Sequence, residues 1–449
     1  MLYKHLWLTY AEDIEFEFMQ AKQEGRDLTQ VEKDIQKILE MKKDDPLREQ
    51  CAAAIMDKIQ TLPLLKDYPY VEPDDLEEIK SQQPQLNISL PASNYDKDTM
   101  FDKVYGAWLG RSAGCLLGIP VECWYLDRLT GYLKDTDNYP IKQYFSIKVK
   151  ASTAEKYSLQ KERGRAWIEN ISYMPSDDDI RYTMICLKIL EKYGHAFTPD
   201  DVAECWMSTF SVLECCTAER VAYKNFCNNI VPPHSATYRN PYREWIGAQI
   251  RADFYGYITP GNPSLAAEYA WRDAILSHVK NGIYGEMFIA AMLSAAAVSN
   301  EIEDCIKVGL SQIPAQSRLA ERINEVLTWK SEGIPWEKTI KILHKEYDET
   351  SLHDLIHVIP NAMIVYIALL YGELDFEKSI GMSVMPGFDT DCNGATVGSI
   401  IGMILGAKAL PDKWITPLNN LVDVSGIVGN STCEISDLAK RTVTLIQNF

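Results

Sequence analysis

The sequence has few basic residues for its size. It contains 45 Lys and Arg against 63 Asp and Glu in 449 residues, which gives a formal net charge of −18. Because this excess of negative charge repels phosphate backbones and anionic lipid headgroups, we expect neither a nucleic-acid nor a membrane partner. A small anionic ligand stays compatible with this charge if a bound cation reverses the local field.

Cysteine pairs with redox or zinc-site spacing are missing as well. The eleven cysteines are scattered along the chain, and none belongs to a CxxC motif. An odd number of cysteines without a pattern is typical of a reducing compartment and argues against a disulfide framework.

The sequence also lacks a long apolar segment. Its most apolar stretch, residues 395–407, is too short to span a bilayer and is rich in glycine. Acidic residues such as Glu12 and Asp13 follow the first residues closely, so the apolar core of a signal peptide is missing. We therefore expect a cytoplasmic protein.

Apolar residues are otherwise abundant, at 46% of the chain with ten Trp and 24 Tyr, so a large buried core is expected. Residues 1–95 are predicted to form a helical N-terminal extension, because Val31, Ile35 and Ile38 recur at helical spacing. Several prolines between residues 63 and 84 indicate a connecting region. A second unit is predicted to span residues 96–449.

Helical patterns dominate this second unit and predict an all-α fold. The clearest predicted helices are residues 180–193, 200–213, 265–279, 285–298, 302–309, 318–330, 336–347, 362–371 and 395–409. Residues 134–173 differ, since residues 144–149 alternate between apolar and polar and predict a short strand.

Two acidic clusters lie far apart in the chain, and each is predicted to open a helix. The first contains Ser176, Asp177, Asp178 and Asp179, and the second contains Asp389, Asp391, Cys392 and Asn393. Acidic residues favour helix N-termini through the helix dipole, and Ser176 is a good N-cap, so plain capping explains either cluster alone. Together they form an oxygen-rich set that suits a hard cation such as Mg²⁺.

Glycines recur at every fourth position in two segments. They are Gly106, Gly110, Gly114 and Gly118 in the first segment, and Gly394, Gly398, Gly402 and Gly406 in the second. Such stripes let another helix or a ligand approach the backbone closely. Glu122 follows the first stripe after Pro120, where a loop would hold it; alone it would be read as a solvated surface acid.

Three of these segments, in this order, resemble the ADP-ribosylglycohydrolase family. Residues 112–122, 176–179 and 389–395 match its three motifs, and the resemblance spans about residues 100–410. It implies an all-α domain with a metal site at helix N-termini, and a hydrolase that cleaves the bond at the ribose C1 of an ADP-ribosyl group. It also implies two Mg²⁺ or Mn²⁺ ions and, as substrate, an ADP-ribosylated protein or a small ADP-ribosyl compound.

The resemblance also assigns residues to roles. The implied metal ligands are Ser176, Asp177, Asp178, Asp389, Asp391 and Cys392; the implied catalytic residues are Glu122, Asp178 and Asp391; and the implied substrate contacts are Gly118, Gly247, Arg251, His278, Tyr284 and Gly387. A His between two predicted helices, such as His278, is more often a structural residue when considered alone.

Three positions depart from the family motifs. The chain has Cys115 where the family usually has Asp, and it has Asp179 and Cys392 where the family has Thr. The Thr replaced by Cys392 is a metal ligand in the family, and sulfur suits Mg²⁺ poorly. One of the two metal sites is therefore expected to be weaker, retuned or completed by water.

Two other functions stay open at this stage. The first is a glycosidase that acts on a different small-molecule riboside or nucleoside. The second is a relative without catalytic activity that binds ADP-ribose. The intact aspartates and Glu122 favour an enzyme.

Overall fold

The structure is a computed structural model that describes residues 6–86, 88, 90–91, 96–159 and 164–447. These residues form 23 α-helices and two short strands, which confirms the predicted all-α fold. The helices are α1 Tyr10–Gln23, α2 Glu32–Glu40, α3 Pro46–Gln60, α4 Leu76–Ser81, α5 Lys97–Gly118, α6 Leu126–Asp135, α7 Ala151–Lys156, α8 Asp178–Tyr193, α9 Pro199–Thr209, α10 Thr217–Cys227, α11 His234–Thr237, α12 Asp253–Tyr257, α13 Pro263–Ala274, α14 Lys280–Ala296, α15 Ile302–Leu310, α16 Arg318–Ser331, α17 Trp336–Glu346, α18 Leu352–Ile356, α19 Val358–Gly372, α20 Phe376–Val384, α21 Thr390–Leu405, α22 Asp412–Ile415 and α23 Ile435–Gln447. The strands β1 (Leu421–Asp423) and β2 (Thr432–Glu434) pair antiparallel.

The two glycine-striped helices, α5 and α21, pack backbone against backbone. A Cβ added to Gly114 would overlap the carbonyl oxygen of Gly394, and one added to Gly110 would overlap that of Gly398. Gly106 meets Gly402 in the same way, so the two helices run antiparallel. The C-terminal end of α5 therefore lies beside the N-terminal end of α21.

The strand predicted at residues 144–149 is wrong. This segment has no regular secondary structure, although Tyr144 and Phe145 are buried. The Tyr144 hydroxyl donates to the carbonyl oxygen of Trp414 at 2.7 Å, and Ile168 N donates to Phe145 O at 2.8 Å. The alternation thus reflects individual anchors to the core, not pairing in a sheet.

The N-terminal helices α1–α3 have an apolar core of their own, which includes Ile14, Ile35 and Met56. They contact the rest of the chain through the buried guanidinium of Arg243, which lies 2.6 Å from Glu17 and 2.7 Å from Glu24. Across the part of the chain that the structure describes, none of the helices is long and apolar enough to cross a membrane.

Candidate active site

The ends of three helices meet at one place. α5 ends at Gly118 and is followed by a short turn to Glu122, while α8 and α21 begin after Asp177 and Asp389. A hydrogen bond of 2.9 Å from Thr390 Oγ1 to the carbonyl oxygen of Gly118 joins α21 to α5. The two acidic clusters and Glu122, far apart in sequence, thereby become neighbours.

The predicted N-cap of α8 is one residue off. Asp177 occupies this position, and its carboxylate accepts a hydrogen bond from Asp179 N at 3.1 Å. Ser176 lies outside the helix and is exposed. Since either residue type is a good N-cap, the sequence does not discriminate between them.

Within the described residues, three groups of side chains bring potential metal ligands within 4.8 Å of one another. They are Cys115 with Asp177 and Asp179, Asp179 with Asp391 and Cys392, and Glu122 with Asp389 and Asp391. The structure thus brings together Asp177, Asp389, Asp391 and Cys392 of the predicted metal ligands. Asp178 instead lines the adjacent cavity, and Ser176 belongs to none of the three groups.

These carboxylates fit a divalent cation. Asp179 Oδ2 and Asp391 Oδ1 are buried and have no hydrogen-bond partner among the described residues. Burial and the neighbouring carboxylates raise the pKa of Asp177 to about 7, and those of Asp179 and Asp391 well above the usual range. A bound cation would reduce the repulsion between the carboxylates and would contact the oxygens that have no partner. An oxygen-rich donor set suits Mg²⁺ or Mn²⁺.

The two thiols in these groups are poorer ligands for such an ion. Burial raises the pKa of both Cys115 and Cys392 well above the ordinary value, and nearby aspartates add to this effect. Because a thiol must lose its proton to bind a metal strongly, the carboxylate oxygens are the better ligands here.

Arg111 is a functional candidate that the sequence analysis missed. It is fully buried in α5, and its guanidinium donates to Asp179 Oδ1 at 3.1 Å and to Asp253 Oδ2 at 2.9 Å. It also donates to the carbonyl oxygens of Asp179 and Ile250. Arg111 therefore compensates part of the negative charge and fixes Asp179. The available signal was a single charged residue within the glycine-rich stretch of residues 106–118.

Asn361 of α19 is a second missed residue. Its side-chain oxygen accepts from Asp389 N at 3.2 Å and from Asn393 Nδ2 at 2.9 Å. Its Nδ2 donates to the carbonyl oxygens of Leu355 and His357. This buried amide holds the start of α21 in place, and its signal is a lone Asn in an apolar helix.

A cavity of about 140 Å³ opens next to the carboxylates. The half-buried residues that line it are called the rim: Trp7, Glu122, Asp178, Cys216, Gly247 and Ile356. The buried residues that line it are called the floor: Tyr182, Thr217, Glu219, Ile246, Ile250, Asp389, Asp391 and Cys392. The lining therefore combines acidic side chains with apolar ones.

The three glycines that were predicted to contact substrate have different positions. Gly247 lines the cavity. Gly118 lies against the backbone of Thr390 and Asp391, where a Cβ would not fit. Gly387 has φ +80° and is followed by Phe388 with φ +62°, so it forms the turn that leads into Asp389.

The other three residues predicted to contact substrate are Arg251, His278 and Tyr284, and all three are buried. Arg251 donates to Glu219 Oε1, a floor residue, at 2.7 Å and also pairs with Asp273. His278 Nδ1 lies 2.8 Å from Ser277 Oγ, and the Tyr284 hydroxyl donates to the carbonyl oxygen of Pro73. These three side chains are not among the residues that line the cavity.

Most of the chain matches one known protein family. A family model described as ADP-ribosylglycohydrolase matches residues 96–448. A solved structure described as an ADP-ribosylglycohydrolase-related protein complex is 17% identical, with a TM-score of 0.49, and the match covers 78% of this chain and 99% of that chain. No curated protein sequence matches significantly. On the match over residues 96–448, the chain belongs to the ADP-ribosylglycohydrolase family, whose members are glycosidases.

Proposed function

We propose that the protein is a metal-dependent hydrolase that cleaves the glycosidic bond at the ribose C1 of an ADP-ribosyl group. The observation that carries this proposal is the convergence of Asp177, Asp179, Asp389 and Asp391 beside a cavity, with two buried carboxylate oxygens that have no hydrogen-bond partner among the described residues. Family membership supports the reaction class. The proposal covers both a protein side chain and a small molecule as the group attached to C1.

The four aspartates are the residues that would hold one or two Mg²⁺ or Mn²⁺ ions. When bound, such an ion supplies charge neutralisation, a grip on vicinal hydroxyls and a lowered pKa of bound water. Arg111 keeps Asp179 oriented through its 3.1 Å hydrogen bond, and Asn361 keeps Asp389 at the start of α21. The ligand set is thus supported by buried groups that do not depend on the ion.

Glu122 is proposed as the residue that orients or deprotonates the attacking water. It lies on the rim of the cavity, and one of its carboxylate oxygens is within 4.8 Å of oxygens of Asp389 and Asp391. A carboxylate at this position can accept a proton as C1 becomes electron-poor in an oxocarbenium-like transition state.

The remaining lining residues would position the sugar. Asp178, on the rim, can accept a hydrogen bond from a ribose hydroxyl, and Gly247 lets the ligand approach the backbone. Ile246 and Ile250 on the floor exclude water from one side of the ring. Apolar lining residues that exclude water strengthen the electrostatic interactions inside the site.

The test is release of ADP-ribose. The full chain is incubated with ADP-ribosyl-arginine, an ADP-ribosyl-serine peptide, O-acetyl-ADP-ribose and a panel of nucleosides, in Mg²⁺ or in EDTA. Mg²⁺-dependent release of ADP-ribose from one substrate supports the proposal. Hydrolysis of nucleosides alone would replace the substrate class. ADP-ribose binding without any turnover would refute the hydrolase.

A further inference from the structure

The N-terminal segment contributes an aromatic side chain to the rim of the cavity. Trp7 precedes α1 and lies outside the region that matches the family model, yet it lines the cavity together with Cys216 and Thr217 at the start of α10. A residue from the extension therefore borders the candidate active site.

Trp7 is held in an unusual conformation. Its φ of +61° falls in the left-handed region, which bulky residues rarely adopt and which persists only when surrounding contacts impose it. The Arg220 guanidinium lies 4.6 Å from the centroid of the indole, and its Nη1 donates to the carbonyl oxygen of Leu6 at 3.1 Å. Arg220 thus fixes both the ring and the backbone beside it.

The residues that follow Trp7 are anchored as well. Lys224 Nζ donates to the carbonyl oxygen of Leu8 at 3.1 Å and lies 3.9 Å from the centroid of the Tyr10 ring. The carboxylate of Glu49 accepts from Tyr10 N at 2.7 Å and from Ala11 N at 3.0 Å. Contacts on both sides therefore oppose a withdrawal of the indole from the rim.

The size of the cavity makes this position important. Its volume of about 140 Å³ is close to that of an engineered cavity of roughly 150 Å³ that binds benzene, and it is below the range of about 300–1,000 Å³ for drug-sized ligands. The enclosed space thus accepts about one ring. A larger group attached to a bound ribose therefore extends to the rim, to which Trp7 belongs.

We propose that Trp7 is a specificity-determining residue that narrows the rim of the cavity, so that a large group attached to the bound ribose, such as the AMP unit of ADP-ribose, lowers the affinity more than it would without the indole. This inference rests on the proposed function for the placement of a ribose in the cavity. The indole acts by steric exclusion, because its anchors keep it on the rim when a bulky group would require it to move.

The experiment compares two ligands that share a ribose phosphate and differ by an AMP unit. Dissociation constants of ribose 5-phosphate and ADP-ribose are measured by calorimetry with the full chain in Mg²⁺, for the wild type, Trp7→Ala, Trp7→Leu and Trp7→Phe. The matched control is Trp336→Ala, which removes a half-buried Trp that does not line the cavity. In Trp7→Ala the ratio of the ADP-ribose constant to the ribose 5-phosphate constant should fall by about tenfold, as expected for lost steric exclusion.

If Trp7→Ala fails to fold, Trp7→Leu replaces it as the test and should shift the ratio in the same direction. Trp7→Phe and Trp336→Ala should keep the wild-type ratio. An unchanged ratio, or a rise that would indicate stacking, overturns the inference.

ADP-ribose release is measured in parallel: absence of release with a shifted ratio refutes the reaction but supports the role of Trp7. Release with an unchanged ratio refutes that role alone. Failure of the wild type to bind either ligand overturns both.

Discussion

At the scale of single residues, the candidate site is defined by buried carboxylates whose oxygens do not all have hydrogen-bond partners among the described residues. Asp179 has Arg111 as a partner for one oxygen, while its other oxygen has none among the described residues. Asp391 likewise has one buried oxygen without a partner. Buried charges without partners are costly, so these residues need a cation or protons.

Glu122 and Asp391 are expected to differ in what they contribute. Glu122→Gln should lower turnover by about 10²–10⁴-fold, the usual effect of losing a general base, while the Mg²⁺-induced rise in melting temperature persists. Asp391→Ala should lose both turnover and the Mg²⁺ effect, because it removes a shared carboxylate of two ligand groups. Activity assays and thermal melts with Mg²⁺ or EDTA measure the two effects.

The control for this pair is Glu332→Gln, at an exposed position at the end of α16. It should leave both quantities at the wild-type level. Full turnover in Glu122→Gln would remove Glu122 from the mechanism, and an intact Mg²⁺ response in Asp391→Ala would contradict the proposed ligand set.

Cys392 provides a test of the metal preference. Cys392→Thr replaces a protonated thiol with a hydroxyl oxygen, which is a better ligand for Mg²⁺. We expect Mg²⁺ affinity to rise by about 1 kcal/mol, or about fivefold, as measured by titration calorimetry. Cys305→Ser, a buried cysteine outside the three ligand groups, is the control and should not change it. Unchanged Mg²⁺ affinity in Cys392→Thr would show that this side chain is not near the ion, and weaker binding would contradict the preference for an oxygen ligand.

At the scale of elements, the close packing of α5 on α21 sets the geometry of the site. Glycines at matched positions let the two backbones touch, and this contact places Glu122 beside Asp389 and Asp391. The sequence shows both glycine stripes but not that they face each other, since spacing within one segment carries no information about its partner. The convergence of the two clusters was inferred from the family resemblance and not from periodicity.

A methyl group on this contact should be poorly tolerated. In Gly114→Ala the new Cβ would overlap the carbonyl oxygen of Gly394. This oxygen belongs to the backbone of α21, so it cannot move away as the end of a side chain could. We expect a loss of about 1–3 kcal/mol or more in the free energy of unfolding, measured by denaturant titration. The loss exceeds the helix-propensity gain of about 1 kcal/mol from replacing Gly.

Gly131→Ala is the matched control, because its nearest neighbour is the hydroxyl end of the Tyr157 side chain, which can move. This variant should be nearly neutral or slightly stabilising. Equal stability of Gly114→Ala and the wild type would contradict the close contact between α5 and α21.

All nine helices predicted from local patterns correspond to helices of the structure, with ends shifted by up to five residues, but they are fewer than half of the described helices in the family-matched region. The helix predicted at 395–409 begins at Thr390, so the second acidic cluster lies in its first turn. Residues 144–149 show why local alternation fails: burial of alternate residues by individual anchors produces the same pattern as a strand. The pair β1–β2 is too short, at three residues each, for its pattern to stand out.

At the scale of the whole molecule, the N-terminal helices are joined to the family-matched region through a buried ionic cluster. Arg243 contacts Glu17 and Glu24, and Lys280 lies 3.3 Å from Glu24. Burial raises the pKa of Glu24, but the charges of Arg243 and Lys280 outweigh it and lower the pKa overall. The division of the chain at residue 95 stays a prediction, while the contacts across it are extensive.

Arg243→Met should destabilise the protein strongly, because it leaves Glu17 and Glu24 buried without their partner. We expect a loss of about 3–5 kcal/mol in the free energy of unfolding, measured by denaturant titration. Arg239→Met is the control: it breaks the exposed ion pair with Asp57 between the same two parts of the chain and should cost about 1 kcal/mol or less. Equal losses in the two variants would indicate that the buried cluster does not join the two parts.

The sequence by itself determined the helical class, the acidic helix starts and, through three ordered motifs, the family. These features are local, because capping, glycine spacing and motif order are written in short stretches of residues. Only the tertiary structure decided which side chains share a cavity, that Arg111 and Asn361 support the carboxylates, and that Trp7 borders the site. Such long-range proximity follows from how helices pack, and the residues of one segment do not specify where another segment will lie.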